Sequence, residues 1–132
     1  MEFRFEIDNT PEEVFRYLSD MPSFVSVHPL IYRIKSLPNG NHLIHEKIKL
    51  GPIPYRFTYP VIVHADEAKG EVQMFATIKK MIFVNLEFKI LAAGDKTIVE
   101  EKASVRSVLP VKGILRRIFA RQHKRMFDNM GS

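Results

Sequence analysis

Six consecutive stretches in the middle of the chain alternate apolar and polar residues, and this pattern constrains the fold more than any other feature. The stretches run approximately over residues 30–37, 41–50, 53–65, 70–79, 81–92 and 96–108. Alternation with a period of two residues is typical of strands that bury one face. Consecutive antiparallel strands in this number twist and curl. The sequence therefore predicts a curved antiparallel sheet.

The N-terminal segment predicts one more strand and two short helices. Residues 2–8 alternate strictly, as a half-buried strand does. Thr10, Pro11 and Glu13 supply the N-cap, the first-position proline and the capping-box acid of a short helix. Residues 21–27 predict a second helix before the sheet resumes. The strands therefore number seven.

Turn residues mark some strand boundaries better than others. Asn39-Gly40 favours a type I′ hairpin turn, which needs positive φ at both central positions. In contrast, no turn residue marks the boundary near residues 79–80. Pro54 and Pro60 indicate an edge or a bulge in the third stretch, because proline cannot donate to the hydrogen-bond ladder.

The period changes after Pro110 and predicts a long C-terminal helix. The helix has about 18–20 residues, enough to cross a small domain and cover the concave face of the sheet. The fold class is therefore α+β, a curved seven-stranded sheet with a long final helix, in the order β-α-α-β6-α. One domain covers residues 1–132. The buried side of the helix repeats every three or four positions, at Val111, Ile114, Leu115, Ile118, Phe119, Gln122, Met126 and Met130.

The net positive charge belongs to this helix. Residues 1–109 contain 14 Lys or Arg and 14 Asp or Glu, so the net charge of +5 arises after them. Any attraction to a polyanion must therefore act through the C-terminal segment. Its six basic residues are Lys112, Arg116, Arg117, Arg121, Lys124 and Arg125.

Three interpretations of this basic face are open. It is a solvated surface, or it makes weak contact with an anionic membrane surface, where each basic residue contributes about 1 kcal/mol. The third interpretation is a nucleic-acid site. We expect no nucleic-acid partner, because the sequence has no known recognition motif and interleaves no aromatic residue on the basic face.

Several kinds of chemistry are absent from the sequence. The chain has no cysteine, which excludes disulfides and thiolate chemistry and fits a reducing compartment such as the cytoplasm. No apolar run approaches the roughly 20 residues of a membrane-spanning helix. His42 and His45 lie three positions apart on a predicted strand and point to opposite faces. We expect neither a metal nor another cofactor.

Three local motifs carry a resemblance to a known family. They are the helix start Thr10-Pro-Glu-Glu-Val-Phe-Arg-Tyr-Leu-Ser-Asp20, the turn His28-Pro29 and the closing segment from Leu109 to Asn129. In this order and chain length they resemble the START-related superfamily, also called SRPBCC or helix-grip, which includes polyketide cyclases and the major birch pollen allergen. The resemblance implies that the sheet grips the last helix around an apolar cavity. Members bind hydrophobic ligands such as lipids, polyketides or quinones, and some are enzymes.

Alternation also indicates which side chains face inward. From residue types alone a solid core is the simpler interpretation, whereas the resemblance favours a ligand cavity. Tyr32, Tyr55 and Tyr59 are candidate donors to a ligand oxygen. The predicted inward set on the strands is Ile44, Ile48, Tyr55, Phe57, Tyr59, Met74, Val84, Leu86, Phe88, Val99 and Val105, and Leu115, Ile118 and Phe119 face it from the helix.

Two acidic residues fall on predicted inward faces. Glu46 alternates in phase with Ile44 and Ile48, and Glu101 alternates in phase with Val99. A buried carboxylate costs several kcal/mol unless it is paired or protonated. Each is therefore either a polar group of a ligand site or a residue that a bulge or a rim position exposes.

The sequence thus predicts that the protein binds or transports a hydrophobic small molecule that is lipid-, polyketide- or quinone-like. The alternative is a polyketide cyclase- or dehydrase-like enzyme in which an inward glutamate acts as an acid or base. Both hypotheses place the ligand between the sheet and the C-terminal helix.

Overall fold

The computed structural model describes residues 1–50 and 52–131, and this part of the chain forms three helices and one seven-stranded sheet. The strands are all antiparallel to their neighbours, in the order β1-β7-β6-β5-β4-β3-β2. The predicted fold class and element order are confirmed. Along the chain the elements are β1 (Glu2–Ile7), α1 (Pro11–Ser19), α2 (Met21–Val27), β2 (Ile31–Ser36), β3 (His42–Leu50), β4 (Ile53–Asp66), β5 (Glu71–Ile78), β6 (Ile82–Ala93), β7 (Lys96–Ser107) and α3 (Lys112–Met130).

Helix α1 begins as the sequence predicts, with half of a capping box. The Thr10 hydroxyl accepts the backbone N–H of Glu13 at 3.2 Å. The Glu13 carboxylate does not return to the Thr10 N–H, which the Asn9 side chain accepts instead. Glu13 pairs with Arg16 one turn later, at 2.9 Å. The helix start is therefore satisfied by the two residues that precede it.

The sequence marks the β5–β6 turn poorly because two lysines occupy it. Lys79 and Lys80 have φ of 54° and 58°, and the N–H of Met81 donates to the Ile78 carbonyl at 3.1 Å. This is a type I′ turn, which normally takes asparagine or glycine. The left-handed conformation costs a non-glycine residue about 1–2 kcal/mol. Two lysines occupy the turn despite this cost.

The two prolines of β4 lie where the strand has one neighbour. Within the described residues, β3 pairs with Ile53–Val61 of β4, whereas β5 pairs with Val61–Asp66. Pro54 and Pro60 both fall in the earlier part of the strand. A proline there has only one neighbouring strand whose ladder it can interrupt. The predicted edge is thus the first half of β4, a strand that lies between β3 and β5 in the sheet.

Helix α3 packs by its C-terminal half. Its fully buried residues begin at Gln122, and the carbonyls of Val27 and Met130 accept hydrogen bonds from Asn129 and Asn9, each at 2.8 Å. The first half is half-buried on its inner side, and Val111 provides no side-chain cap for its first N–H groups. The helix is therefore anchored at one end and lies over a space at the other.

Candidate functional site

An apolar cavity lies between the inner face of the sheet, α2 and the first half of α3. Its volume is about 100 Å³. Eleven of the predicted site residues line it: Ile44, Glu46, Ile48, Phe57, Tyr59, Met74, Val84, Leu86, Leu115, Ile118 and Phe119.

Nine further residues complete the lining. Several come from α2 and the residues after it, which the strand pattern did not connect to the cavity. The sequence could have indicated Gln122 as a site residue, because it is a polar residue on the apolar stripe of α3. The additional residues are Met21, Phe24, His28, Ile31, Val61, Ala76, Ile78, Gln122 and His123.

Tyr32 does not line the cavity, so its predicted role as a ligand donor is corrected. It is 52% exposed. The pairing of β2 shifts between Ile31 and Arg33, which makes Tyr32 the extra residue of a bulge. Its ring lies near His45 and the Arg56 guanidinium, on the outer face.

Tyr55 is also outside the cavity lining. It is 42% exposed and begins a row of rings on β4, with centroids 6.2 Å from Tyr55 to Phe57 and 5.6 Å from Phe57 to Tyr59. The Lys79 ammonium lies 5.7 Å from the Tyr55 ring centre. The row therefore leads from the exposed end of the sheet to the buried Tyr59.

Phe88 and Glu101 are buried but do not line the cavity. Phe88 packs against Phe127 and His123, under the C-terminal half of α3. Val99 is fully buried in the core, whereas Val105 is half-buried. The predicted inward face is thus longer than the cavity, because the anchored half of the helix fills one end.

Glu46 is a buried carboxyl inside the cavity. It is 7% exposed, and the Tyr59 hydroxyl donates to its Oε1 at 2.6 Å. Burial raises the pKa of Glu46, while Tyr59, Gln122 and a charge on His123 partly offset this effect. Burial likewise raises the pKa of Tyr59 well above its usual value, and the neighbouring Glu46 adds to the effect. The cavity therefore contains a carboxyl that gains a proton more readily than a solvated one.

Glu101 and His123 form a second buried pair. The His123 Nδ1 lies 2.8 and 2.7 Å from the two carboxylate oxygens. The Phe119 ring stacks on the imidazole, with centroids 5.2 Å apart and planes at 9°. The carboxylate accepts the Nδ1 proton, and the other ring nitrogen has no hydrogen-bond partner among residues 1–50 and 52–131. Glu101 therefore orients His123, whose ring lines the cavity.

His28 follows the last residue of α2, and its hydrogen bonds fix the tautomer of its ring. The backbone N–H groups of Leu30 and Ile31 donate to its Nδ1 at 3.1 and 3.2 Å. Nδ1 is therefore the acceptor, and the proton of the neutral ring is on Nε2. Burial lowers the pKa of His28 to about 3, and a charge on His123 contributes. The ring is neutral at ordinary pH and presents an N–H.

A larger groove of about 760 Å³ lies on the opposite face of the sheet. Charged side chains that point away from α3, such as Glu87, Lys89, Glu100 and Lys102, form much of its surface. It lacks the enclosure and apolar lining of a small-molecule site. The smaller inner cavity is the better candidate.

The described residues contain neither a group of metal-binding side chains nor a membrane-spanning helix. No three His, Asp or Glu side chains in the described chain are grouped to hold a metal ion. None of the helices that the structure describes is long and apolar enough to cross a bilayer.

Comparisons with known proteins identify the fold through solved structures. No family model and no curated protein sequence matches the chain. The crystal structure of Ara h 8.0201 matches with a TM-score of 0.77 at 13% identity, over 99% of this chain and 93% of that one. A START superfamily protein from Mycobacterium smegmatis gives 0.73 at 16% identity, over 96% and 89%. The Zhui aromatase/cyclase from Streptomyces sp. R1128 gives 0.69 at 9% identity, over 98% and 89%.

These similarities extend to the whole fold. The seven-stranded antiparallel sheet and the final helix of this chain have the helix-grip arrangement of START-related proteins. The predicted resemblance is therefore confirmed at the level of the fold.

Proposed function

We propose that this helix-grip domain binds a hydrophobic small molecule that is lipid-, polyketide- or quinone-like. The observation that carries the proposal is the inner cavity, which is lined mostly by apolar side chains and contains the buried Glu46–Tyr59 pair. A mainly apolar pocket with a few convergent polar groups is the usual form of a small-molecule site. Apolar contact supplies affinity at roughly 25 cal/mol per Å², and the polar groups set orientation.

The cavity must enlarge to take such a ligand. Its volume of about 100 Å³ is below the roughly 300–1,000 Å³ of typical ligand pockets. The first half of α3 is the element placed to move, because Leu115, Ile118 and Phe119 are half-buried and its N-terminus lacks a side-chain cap. Lys112 and Arg116 add positive charge where the helix dipole is already positive.

A titration with the neutral fluorophore N-phenyl-1-naphthylamine tests the proposal. We expect saturable binding to the wild-type protein and a loss of at least tenfold in affinity for Ile118→Trp, which fills the cavity. Ala120→Trp adds the same ring at an exposed position of the helix and serves as the control. Equal affinities for the two variants, or no binding to the wild-type protein, would refute the site.

An acid–base enzyme is the second candidate function. The Glu101–His123 pair favours it, because an oriented imidazole beside an apolar cavity can remove a proton from a bound carbon acid. The predicted alternative used an inward glutamate directly, and Glu46 can serve in that way. Exchange of the methyl protons of acetophenone in D2O provides an assay. Exchange that the wild-type protein catalyses and that Glu101→Gln abolishes would support an enzyme. Exchange at the uncatalysed rate would favour a protein that only binds its ligand.

We also propose a weak contact with anionic membranes at the end of the molecule beside the first half of α3. Ile78 pairs with Ile82 and Ile82 with Ser107, so the β5–β6 turn lies beside the end of β7. This end exposes several apolar side chains, and Val108 is 84% exposed. The exposed apolar side chains there are Met81, Val108, Leu109 and Ile114.

Basic residues surround these side chains. Lys79 and Lys80 form the neighbouring turn, and Lys112 and Arg116 begin α3. Apolar side chains that insert beside lysines and arginines are typical of surfaces that bind anionic bilayers. The other basic residues of α3, Arg117, Arg121, Lys124 and Arg125, extend the positive face.

Sedimentation with phosphatidylglycerol-containing vesicles tests this contact. We expect binding at about 50 mM salt that fades towards 200 mM, because screening shortens the range of surface electrostatics. Val108→Asp with Leu109→Asp should abolish it, and neutralising Arg117, Arg121 and Lys124 should weaken it. Absence of sedimentation at low salt would refute the contact.

A further inference from the structure

We propose that the ligand of the inner cavity presents a hydrogen-bond-accepting oxygen, of the carbonyl class, to the Gln122 amide and the His28 ring. This inference rests on the proposed function, since it names the polar group of the hydrophobic ligand. It follows from which polar atoms of the cavity have partners and which do not.

The Gln122 amide has donor capacity that the protein leaves unused. The side chain lines the cavity on the buried face of α3, and the residue is 5% exposed. Its Nε2 is buried and makes no hydrogen bond within the described part of the chain. The amide lies close enough to Glu46 to lower the pKa of that carboxyl. An amide nitrogen carries two protons, so proximity to Glu46 leaves at least one N–H unmatched.

The His28 ring is the second unused donor. Two backbone N–H groups occupy Nδ1, which leaves the proton on Nε2. No side chain in residues 1–50 or 52–131 accepts that N–H, and the residue lines the same cavity as Gln122. The two backbone hydrogen bonds hold the ring in place, so the ligand need not order it.

Glu46 Oε1 accepts the Tyr59 hydroxyl. Glu101 Oε2 is buried without a hydrogen bond, but Glu101 does not line the cavity. The unmatched atoms that Gln122 and His28 offer to the cavity are their Nε2 donors. A buried donor without a partner is unfavourable, and an apolar ligand that lacks an acceptor would leave both unmatched. A ketone, quinone or ester oxygen satisfies them, whereas a protonated amine does not.

Matched probes test the inference. Acetophenone and ethylbenzene have nearly the same shape and differ by a carbonyl oxygen, and a single ring suits the present cavity. Their dissociation constants follow from chemical-shift titrations of the labelled protein. We expect acetophenone to bind at least tenfold more tightly, and Gln122→Met to reduce the ratio below threefold without weakening ethylbenzene. Ala120→Met, at an exposed position of the same helix, should preserve the wild-type ratio.

The outcomes separate this inference from the proposed function. Equal affinities of the two probes for the wild-type protein would overturn the carbonyl preference and leave a purely apolar site. Failure of both probes to bind would overturn the cavity as a ligand site as well. His28→Asn provides a second variant, since its Oδ1 can accept the Leu30 and Ile31 N–H groups while the Nε2–H is lost; we expect it to reduce the same ratio.

Discussion

The buried polar residues acquire their properties from individual neighbours. Glu46 is held by the Tyr59 hydroxyl, Glu101 by His123, and His28 by two backbone N–H groups. Burial raises the pKa of Glu46 and lowers that of His28, in each case towards the neutral form. Burial thus favours the uncharged forms of both side chains, which keep their hydrogen-bonding atoms.

His28 should make stability depend on pH. Its pKa in the folded protein is about 3, below the ordinary value of 6.5. Between these two pH values the unfolded chain therefore binds more protons than the folded protein. The contribution is fully present above pH 6.5 and is lost as the pH falls towards 3. We expect His28 to lower the free energy of unfolding by about 2 kcal/mol between pH 8 and pH 5.

Urea unfolding of His28→Asn and the wild-type protein measures this effect at each pH. The difference between the two proteins isolates His28 from Glu46, which acts in the opposite direction. If the difference is the same at pH 8 and pH 5, His28 does not carry the predicted shift.

Glu46 should make the opposite contribution. Its folded pKa is raised, so its contribution to stability is greatest below the ordinary value of 4.5 and is lost as the pH rises through the folded pKa. Glu46→Gln keeps an oxygen for the Tyr59 hydroxyl and cannot ionise. Relative to the wild-type protein, we expect it to gain stability from pH 4 to pH 8. A relative gain as the pH falls would contradict the assignment.

At the scale of elements, α3 has two unlike halves. Its C-terminal half buries Met126, Phe127 and Met130 and is tied to α2 through Asn129. Its N-terminal half lacks a side-chain cap and places Leu115 and Ile118 against a space. The proposed entry of ligand uses this asymmetry, because the half that must move contributes least to the core.

Alanine substitutions should reveal the asymmetry. Phe127→Ala removes a fully buried ring and should cost about 3–5 kcal/mol. Leu115→Ala removes a half-buried side chain beside an existing cavity and should cost well under half as much. Denaturant unfolding measures both. Similar costs would show that the first half of α3 is as firmly packed as the second.

The elements were predictable from periodicity, whereas local exceptions were not. The period of two located all seven strands, and the period of three to four located α3. The β5–β6 turn was weakly marked because Lys79 and Lys80 adopt a conformation that neither favours. Tyr32 was misplaced because a bulge is set by the pairing of two strands, which alternation along one strand does not encode.

At the scale of the molecule, the curved sheet, α2 and α3 enclose a cavity whose lining runs from Met21 to His123. Alternation predicted that Glu46 faces inward. It could not predict that His28 and Gln122 meet the same space, because that depends on how α2 and α3 pack. The extent of the cavity was likewise beyond the sequence, since the anchored half of α3 covers Phe88 and Glu101.

Native mass spectrometry of the freshly purified protein tests the central claim most directly. We predict a wild-type species that carries one apolar molecule, released by organic solvent and containing a carbonyl oxygen, and a clean apo mass for Ile118→Trp. Retention of the adduct by Ile118→Trp would place the molecule outside the cavity. A wild-type protein that remains apo when apolar carbonyl compounds are added would contradict the claim that this fold encloses a ligand site.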